Sequence, residues 1–418
     1  MSDSELSKIN REATDRYGQP WGEGTKQDHE AYPDDPDPIP DGWHNLRTDA
    51  KDIRRKFRIE PWDGDTFGDH EKPYPNCLVH EPPGESEWGH VGGTNFLAVA
   101  EKGGGKSTFG LKWACRLMEA NDEAVVWRGS SSRSEWLPFK HWTKLLLPAN
   151  AEIEAAWKPR DIRSQNDGDD AQLEDVAREI EYYTDPVDLN ERLEPGKFHV
   201  VYPDPTFSGC EQVMAESDFC PKPVPFTPVS EAEESGDATP IVHWWFAWMV
   251  SKLEHGPYDW TSLIFDEAAD LAPDDAKADQ DETYEKVQAL RRVMADSRKF
   301  NFSLFFFAHH EVNLHEKIRR TVQWRVSLAD GTANPCREHG DSAPLGFNNI
   351  PMKKDQLSHR EIGRGLLWTG QQFSRFTWDD IPVDKIDSSR WLKISLAEPV
   401  AHARGSDQHG TPRGVADD

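Results

Sequence analysis

Between about residues 90 and 330 the chain alternates two hydrophobic rhythms. One is a short unbroken apolar run: TNFLAVA at 94–100, EAVVWRG at 123–129, KFHVVYP at 197–203, TSLIFDE at 261–267 and SLFFFAHH at 303–310. The other returns an apolar residue every three or four positions, as in KSTFGLKWACRLMEA at 106–120 and DETYEKVQALRRVMADSRKF at 281–300. Continuous apolar strands separated by helices predict a mainly parallel sheet covered on both faces, because a strand buried on both sides has no polar face to alternate with. WRVSLAD (324–330) and GLLWTG (365–370) predict two further strands. PIVHWWFAWMVSKLE at 240–254 is apolar nearly all round, which favours a core helix over a docking face. The fold class is α/β, with the sheet flanked by helices.

Polar stretches interrupt this pattern. Residues 1–85, with AYPDDPDPIPDG at 31–42, read as a Pro/Asp-rich N-terminal arm holding at most a short strand around Phe57–Glu60. Residues 396–418 read as a disordered tail. Within the intervening domain, 86–395, the segments 130–196 and 204–238 are too long and polar for simple crossovers and are expected to be insertions. No fixed-period repeat is present.

Charge narrows the class. The 418 residues carry 75 Asp+Glu against 48 Lys+Arg, a formal net charge of −27, which excludes a broadly basic nucleic-acid coat. The 17 Trp and 19 Phe exclude global disorder. An acidic, Lys-poor surface is similar to that of haloarchaeal proteins, since molar salt cuts the Debye length to about 3 Å and screens the self-repulsion. The five Cys (77, 115, 210, 220 and 336) form no C-x-x-C pair, so neither a disulfide framework nor a zinc finger is expected. Met1–Asn10 holds no apolar signal core, and Ile241–Val250 is too short to span a bilayer. A cytoplasmic protein is expected.

The chemistry concentrates at FLAVAEKGGGKST, 96–108. From Ala100 through Glu101, Lys102, Gly103, Gly104, Gly105 and Lys106 to Ser107 and Thr108 it fits the Walker A loop, with Ala100 in place of the first Gly. A strand delivers a loop whose N–H groups curl around a phosphate, and glycines permit that curvature. Lys106 is placed to reach the β- and γ-phosphates of ATP, and Ser107 to ligate Mg²⁺. The helix that follows points its N-terminus at the anion. A strand before and a helix after are the context that separates this motif from a chance Gly-Lys-Ser turn.

The partner of such a loop is an apolar strand ending in an acid, and TSLIFDEAADLAP supplies it. Asp266 is expected to hold the metal and Glu267 to act as general base on the attacking water. The next strand ends in His309 and His310. A polar side chain there contacts the γ-phosphate or the lytic water in many such ATPases; His310 is the first choice and His309 the alternate. HHEVNLH misses the H-E-x-x-H zinc spacing by one residue. Arg291, Arg292, Arg298, Arg319 and Arg320 are candidate γ-phosphate fingers and the densest basic spots in the chain, with Arg319 and Arg320 the catalytic candidates among them.

The ordered set AEKGGGKST, LIFDEAADL and RRVMADSRKFNFSLFFFAHHEVNLHEKIRR resembles the FtsK/HerA superfamily of DNA-pumping P-loop ATPases, over about residues 90–330. That superfamily includes type IV secretion coupling proteins and viral genome-packaging ATPases. Its members often place Gln where His310 stands here. The resemblance implies a P-loop NTPase core, a homo-oligomer such as a hexameric ring, and hydrolysis coupled to movement along DNA. With the acidic composition it points to a haloarchaeal virus or plasmid, and to an association with virions. An ATPase switch or assembly factor acting on protein partners is the competing reading. A small-molecule kinase fits less well, because a Glu beside the Walker B Asp favours water as nucleophile.

Overall fold

The computed structural model describes residues 49–57, 59, 80–81, 90–91, 93–160, 168–235, 237–328, 363–369, 373–378, 381 and 390–399. Of the expected arm (1–85) all but 49–57, 59 and 80–81, and of the expected tail (396–418) the part from 400 onward, lie outside the described residues. In chain order the elements are α1 (Ala50–Phe57), β1 (Asn95–Val99), α2 (Lys106–Asn121), β2 (Ala124–Arg128), β3 (Thr143–Pro148), β4 (Glu152–Pro159), β5 (Asp169–Asp170) and β6 (Glu179–Tyr183). There follow α3 (Pro186–Glu191), β7 (Phe198–Val201), α4 (Cys210–Glu216), α5 (Val229–Ser235), α6 (Trp244–His255), β8 (Thr261–Phe265) and α7 (Ala268–Leu271). The last are α8 (Thr283–Asp296), β9 (Phe302–Ala308), α9 (Glu316–Thr321), β10 (Trp324–Ser327), β11 (Arg364–Trp368), β12 (Phe373–Thr377) and β13 (Arg390–Ala397). A two-residue parallel pair, His80–Glu81 with His90–Val91, stands apart from them.

Ten strands form one sheet in the order β12-β11-β10-β1-β9-β8-β2-β7-β3-β6. Every neighbouring pair from β10 to β6 is parallel, and β11 and β12 add antiparallel at one edge. This is the α/β fold of a P-loop NTPase. Both faces of the central strands are apolar, and alternate residues enter two different cores. Phe305 and Phe307 of β9, with Phe96 and Ala98 of β1, pack on Phe109 and Trp113 of α2. Leu304 and Phe306, with Leu97 and Val99, face the opposite core of α6 and α8. Gly110 lets α2 lie close to the sheet, since a Cβ there would sit 3.1 Å from the Trp127 ring.

The Trp-rich segment is a core helix. Trp244, Trp245 and Trp248 of α6 are fully buried, and the Trp248 Nε1–H donates to Asn190 Oδ1 at 2.9 Å. No helix of the described residues is long and apolar enough to cross a membrane.

Three expectations need correction. Phe57 closes a helix instead of opening a strand: Ala50 and Ile53 give α1 a small apolar stripe, both are fully buried, and Arg54 pairs with Glu119 of α2 at 2.7 Å. Residues 50–57 are therefore part of the folded body. The expected insertion at 130–196 instead extends the main sheet through β3 and β6. Its strand content was hidden because β6, at the sheet edge, turns Glu179 and Tyr182 to solvent and so lacks an apolar run. Finally, β13 runs two residues into the expected 396–418 tail, pairs antiparallel along all of β4 and builds a small second sheet, β13-β4-β5.

His199 of β7 ties the sheet to the chain before it. Its Nδ1 lies 3.2 Å from the Val125 carbonyl, and its Nε2 lies 3.1 Å from the Glu194 N–H. A carbonyl accepts and an amide donates, so the ring is neutral with its proton on Nδ1. Burial pushes its pKa down to about 4, against the opposing pull of the Val125 bond. His243, buried beside Lys286, falls to about 3. The unfolded chain takes up these protons near 6.5, whereas the folded chain refuses them until about pH 4. Stability is therefore lost as pH falls through that window. His199 alone is expected to contribute a loss on the order of 3 kcal/mol. Urea midpoints measured from pH 7 to pH 4 should fall less steeply for His199→Gln than for the wild type, and equal slopes would contradict this account.

Candidate functional site

Strand order sets the site. In the sheet β9 lies between β1 and β8, and β2 flanks β8 on the far side. All four run parallel, so their carboxyl ends meet at one edge, where ligands of open α/β sheets bind. β1 passes into the 100–105 loop there. The Ala100 N–H still pairs with the Ala308 carbonyl at 3.2 Å, so this residue keeps strand geometry and has no need of glycine. Gly103 and Gly105 do need it, with φ of 81° and 82°. Gly105 is the N-cap of the 16-residue α2 and brings no side chain to its free N–H groups. A glycine loop opening such a helix fits a phosphate chain. The Ser107 hydroxyl and the Asp266 carboxylate are the hard oxygen donors that Mg²⁺ takes.

A chain of contacts links the loop to the acids. Lys106, 8% exposed, turns its Nζ to the Ala100 carbonyl at 3.2 Å and to His309 Nδ1 at 2.7 Å. The other ring nitrogen, Nε2, lies 2.9 Å from Glu267 Oε1. An ammonium only donates, so Nδ1 accepts and the proton sits on Nε2, directed at the carboxylate. Burial lowers the Lys106 pKa, partly offset by the charges of Asp266 and Glu267. Burial likewise raises Asp266, and there it outweighs the nearby cations.

Two arginines from the β2 end complete the cluster. Arg128, the last residue of β2, donates through Nη1 to the Asp266 carbonyl at 2.5 Å and through Nη2 to Asp270 Oδ2 at 3.2 Å. Its guanidinium covers the Phe265 ring at 4.4 Å, and Trp245 meets the same ring edge-on at 5.6 Å. Arg133, five residues on, forks across the acids, with Nη1 2.8 Å from Asp266 Oδ2 and Nη2 2.9 Å from Glu267 Oε1. Burial works against its charge, but the two carboxylates win and hold its pKa above the ordinary value. Glu267 itself has φ 54°, ψ 57°, a left-handed backbone uncommon outside glycine, and it caps α7.

The structure thus brings together the 100–107 loop, Lys106, Asp266 and Glu267. Of the two candidate histidines, the alternate, His309, bridges Lys106 and Glu267, while His310 forms the N-cap of the Glu311–Asn313 turn. Alternation along β9 explains this, because positions 305 and 307 face α2 and position 309 continues that face. Arg319 and Arg320 are not brought to the acids. Arg319 lies 3.5 Å from Asp274, and Arg320 pairs with Glu316 within α9. Arg292 donates to the Phe219 carbonyl at 2.9 Å, whereas Arg291 and Arg298 are exposed. Arg128 and Arg133 went unread in the sequence. The available signal was an arginine closing an otherwise apolar strand, with a second in the loop directly after it.

No family model matches the chain, and no curated protein matches it in sequence. Among solved structures it is similar to the genome packaging NTPase B204 of Sulfolobus turreted icosahedral virus 2 in complex with ATP-gammaS. That match has 11% identity, covers 69% of this chain and 98% of the other, and has a TM-score of 0.37. It is similar to VirB4 of Thermoanaerobacter pseudethanolicus at 13% identity, over 69% of this chain and 90% of the other, with a TM-score of 0.38. It is also similar to the pCW3 conjugation coupling protein TcpA at 15% identity, over 78% of this chain and 70% of the other, with a TM-score of 0.33. These neighbours are FtsK/HerA-type P-loop ATPases.

Proposed function

We propose that this chain binds Mg²⁺–ATP on the 100–108 loop and hydrolyses it, with hydrolysis coupled to translocation or packaging of DNA. The observation that carries the hydrolytic reading is the Lys106–His309–Glu267 chain, which joins the phosphate loop to the acid placed to act on water. Bound Mg²⁺ would neutralise charge on the β- and γ-phosphates, with Ser107 and Asp266 as its holders. Lys106 would pair with the same phosphates. Arg133 and His309 both meet the Glu267 carboxylate at Oε1. Oε2 is then the oxygen available to take a proton from the attacking water.

The coupling to DNA rests on the motif resemblance, and the distribution of basic side chains narrows where contact would occur. Lys317 is engaged in joining α9 to α8 through Tyr284 and Gln288, and Arg319 is held by Asp274. Arg291, Arg298, Lys299 and Arg320 are exposed, the last two in surface pairs with Asp296 and Glu316 that phosphates can displace, and are the proposed DNA-facing set. The cis pairs of Arg319 and Arg320 leave a finger role only across a subunit boundary of a homo-oligomer. That assembly, a ring of six among its forms, is part of the proposal, as is a working place in the cytoplasm or with the virion of a haloarchaeal element.

Glu267→Gln is expected to keep Mg²⁺–ATP binding and to lower turnover at least about 100-fold. Lys106→Ala should abolish nucleotide binding, and persistence of binding would overturn the site.

His309→Ala should reduce kcat about 10- to 100-fold, the worth of a hydrogen bond to a charged group. His310→Ala should leave kcat within about threefold, because it is His309 that bridges Lys106 and Glu267. The reverse order would restore His310 as the contact residue.

In molar KCl, double-stranded DNA should raise wild-type turnover, and the Arg291→Glu/Arg298→Glu double variant should lose that stimulation while keeping its basal rate. Turnover indifferent to DNA would replace translocation with the assembly-factor reading.

A further inference from the structure

Both oxygens of the Asp266 carboxylate are already in use. Oδ1 accepts the Glu267 backbone N–H at 3.0 Å, and Oδ2 accepts Arg133 Nη1 at 2.8 Å. The first bond belongs to the turn that carries Glu267, whose left-handed backbone fixes the amide in place. The second comes from a long side chain that is 33% exposed, against 12% for Asp266 and 13% for Glu267. A metal ion approaching Asp266 would meet the guanidinium at Oδ2, and two cations do not share one carboxylate oxygen at contact distance without strong repulsion. Of the two bonds, the one to Arg133 is free to yield.

The loop that carries Arg133 is held by its neighbours. The Arg133 N–H bonds the Ser130 carbonyl at 3.1 Å, Ser134 Oγ accepts the Leu392 N–H of β13 at 3.3 Å, and Trp136 is fully buried. Release is therefore a rotation of the side chain. Arg128 behaves differently: it reaches the main-chain carbonyl of Asp266 and the side chain of Asp270, leaves the carboxylate oxygens of Asp266 untouched, and has no reason to move.

We propose that Arg133 is a resident counter-ion that competes with Mg²⁺ for Asp266, so that Mg²⁺–nucleotide loads only as the Arg133 fork lets go. The guanidinium holds two adjacent carboxylates together in the nucleotide-free site and sets the Mg²⁺ concentration needed to load it. This rests on the reading of Lys106 and Asp266 as a Mg²⁺–nucleotide site. A merely structural ion pair makes the opposite forecast, because its loss would loosen the acids and weaken metal loading.

The test is a Mg²⁺ titration of fluorescent ATP-analogue binding to the full chain, in molar KCl with buffered free metal. Wild type, Arg133→Met and Arg133→Lys are compared, with folding checked by circular dichroism. In Arg133→Met the Mg²⁺ half-saturation point should fall about tenfold, the scale of losing one charge-assisted hydrogen bond. Affinity for the metal-free analogue should stay within about twofold, since Arg133 acts on the acids and not on the phosphate loop. Arg133→Lys, which keeps the charge but not the fork, should lie between the two. Adding Asp266→Asn to Arg133→Met should erase the gain. A half-saturation point that is unmoved or raised in Arg133→Met, while wild type binds the analogue, overturns the proposal alone. Failure of wild type to bind the analogue at any Mg²⁺ concentration overturns the nucleotide site and this inference with it.

Discussion

Acids placed at the ends of buried parallel strands must be matched by cations, and the edge of this sheet is arranged around that requirement. Asp266 and Glu267 follow β8 directly, with side chains only 12% and 13% exposed. Two neighbouring carboxylates removed from water are strongly unfavourable unless paired and hydrogen-bonded. The surrounding strand ends contribute to the balance: Lys106 from the start of α2 beyond the β1 loop, His309 from the end of β9, and Arg128 and Arg133 from the end of β2. The strand order that puts β9 and β2 on either side of β8 is thus what makes the acids tolerable. The same four strand ends bring loop, histidine and acids within contact distance. The electrostatic solution and the chemical one use the same residues.

The apolar layers hold these ends in register. Phe265, the residue before the acids, is clamped between the Arg128 guanidinium and the Trp245 ring, so its strand end cannot shift without disturbing both. Trp245 belongs to a helix with three fully buried tryptophans. On the other face Phe96, Phe109, Trp113, Phe305 and Phe307 interlock ring against ring beneath the phosphate loop. Close-packed interiors transmit displacement, which is why heavy aromatic packing sits directly behind the site.

Much of this was readable in the chain, and what was missed follows a pattern. The phosphate loop and the acid pair are local in sequence, so spacing alone located Lys106, Ser107, Asp266 and Glu267. The central strands announced themselves as apolar runs because both their faces are buried. β6 did not, since at the sheet edge it leaves Glu179 and Tyr182 exposed and its two Glu break the apolar run, and β13 ran into a segment whose composition read as tail. The period of two separates His309 from His310: counting from Phe305 and Phe307 places position 309 on the side of α2, whose first residue is Lys106. Arg133 is the harder case. Its pairing with residues 133 and 134 positions away depends on β2 lying next to β8, a topological fact that no local pattern encodes.

The left-handed turn at Glu267 connects these points. A non-glycine residue held at φ 54° is strained by roughly 1 kcal/mol or more, and it persists only where surrounding bonds over-determine it. Here the Asp266 carboxylate accepts the Glu267 N–H, and Arg128 Nη1 bonds the Asp266 carbonyl while lying 3.4 Å from that of Glu267. Arg128 therefore acts as a clamp on the main chain, and Arg133 as a clamp on the side chains. One cation keeps the acids where the fold needs them regardless of what is bound. The other occupies the oxygen a metal would use and can leave it. Separating the two tasks between adjacent arginines lets the carboxylates change partners without the strained backbone relaxing when they do.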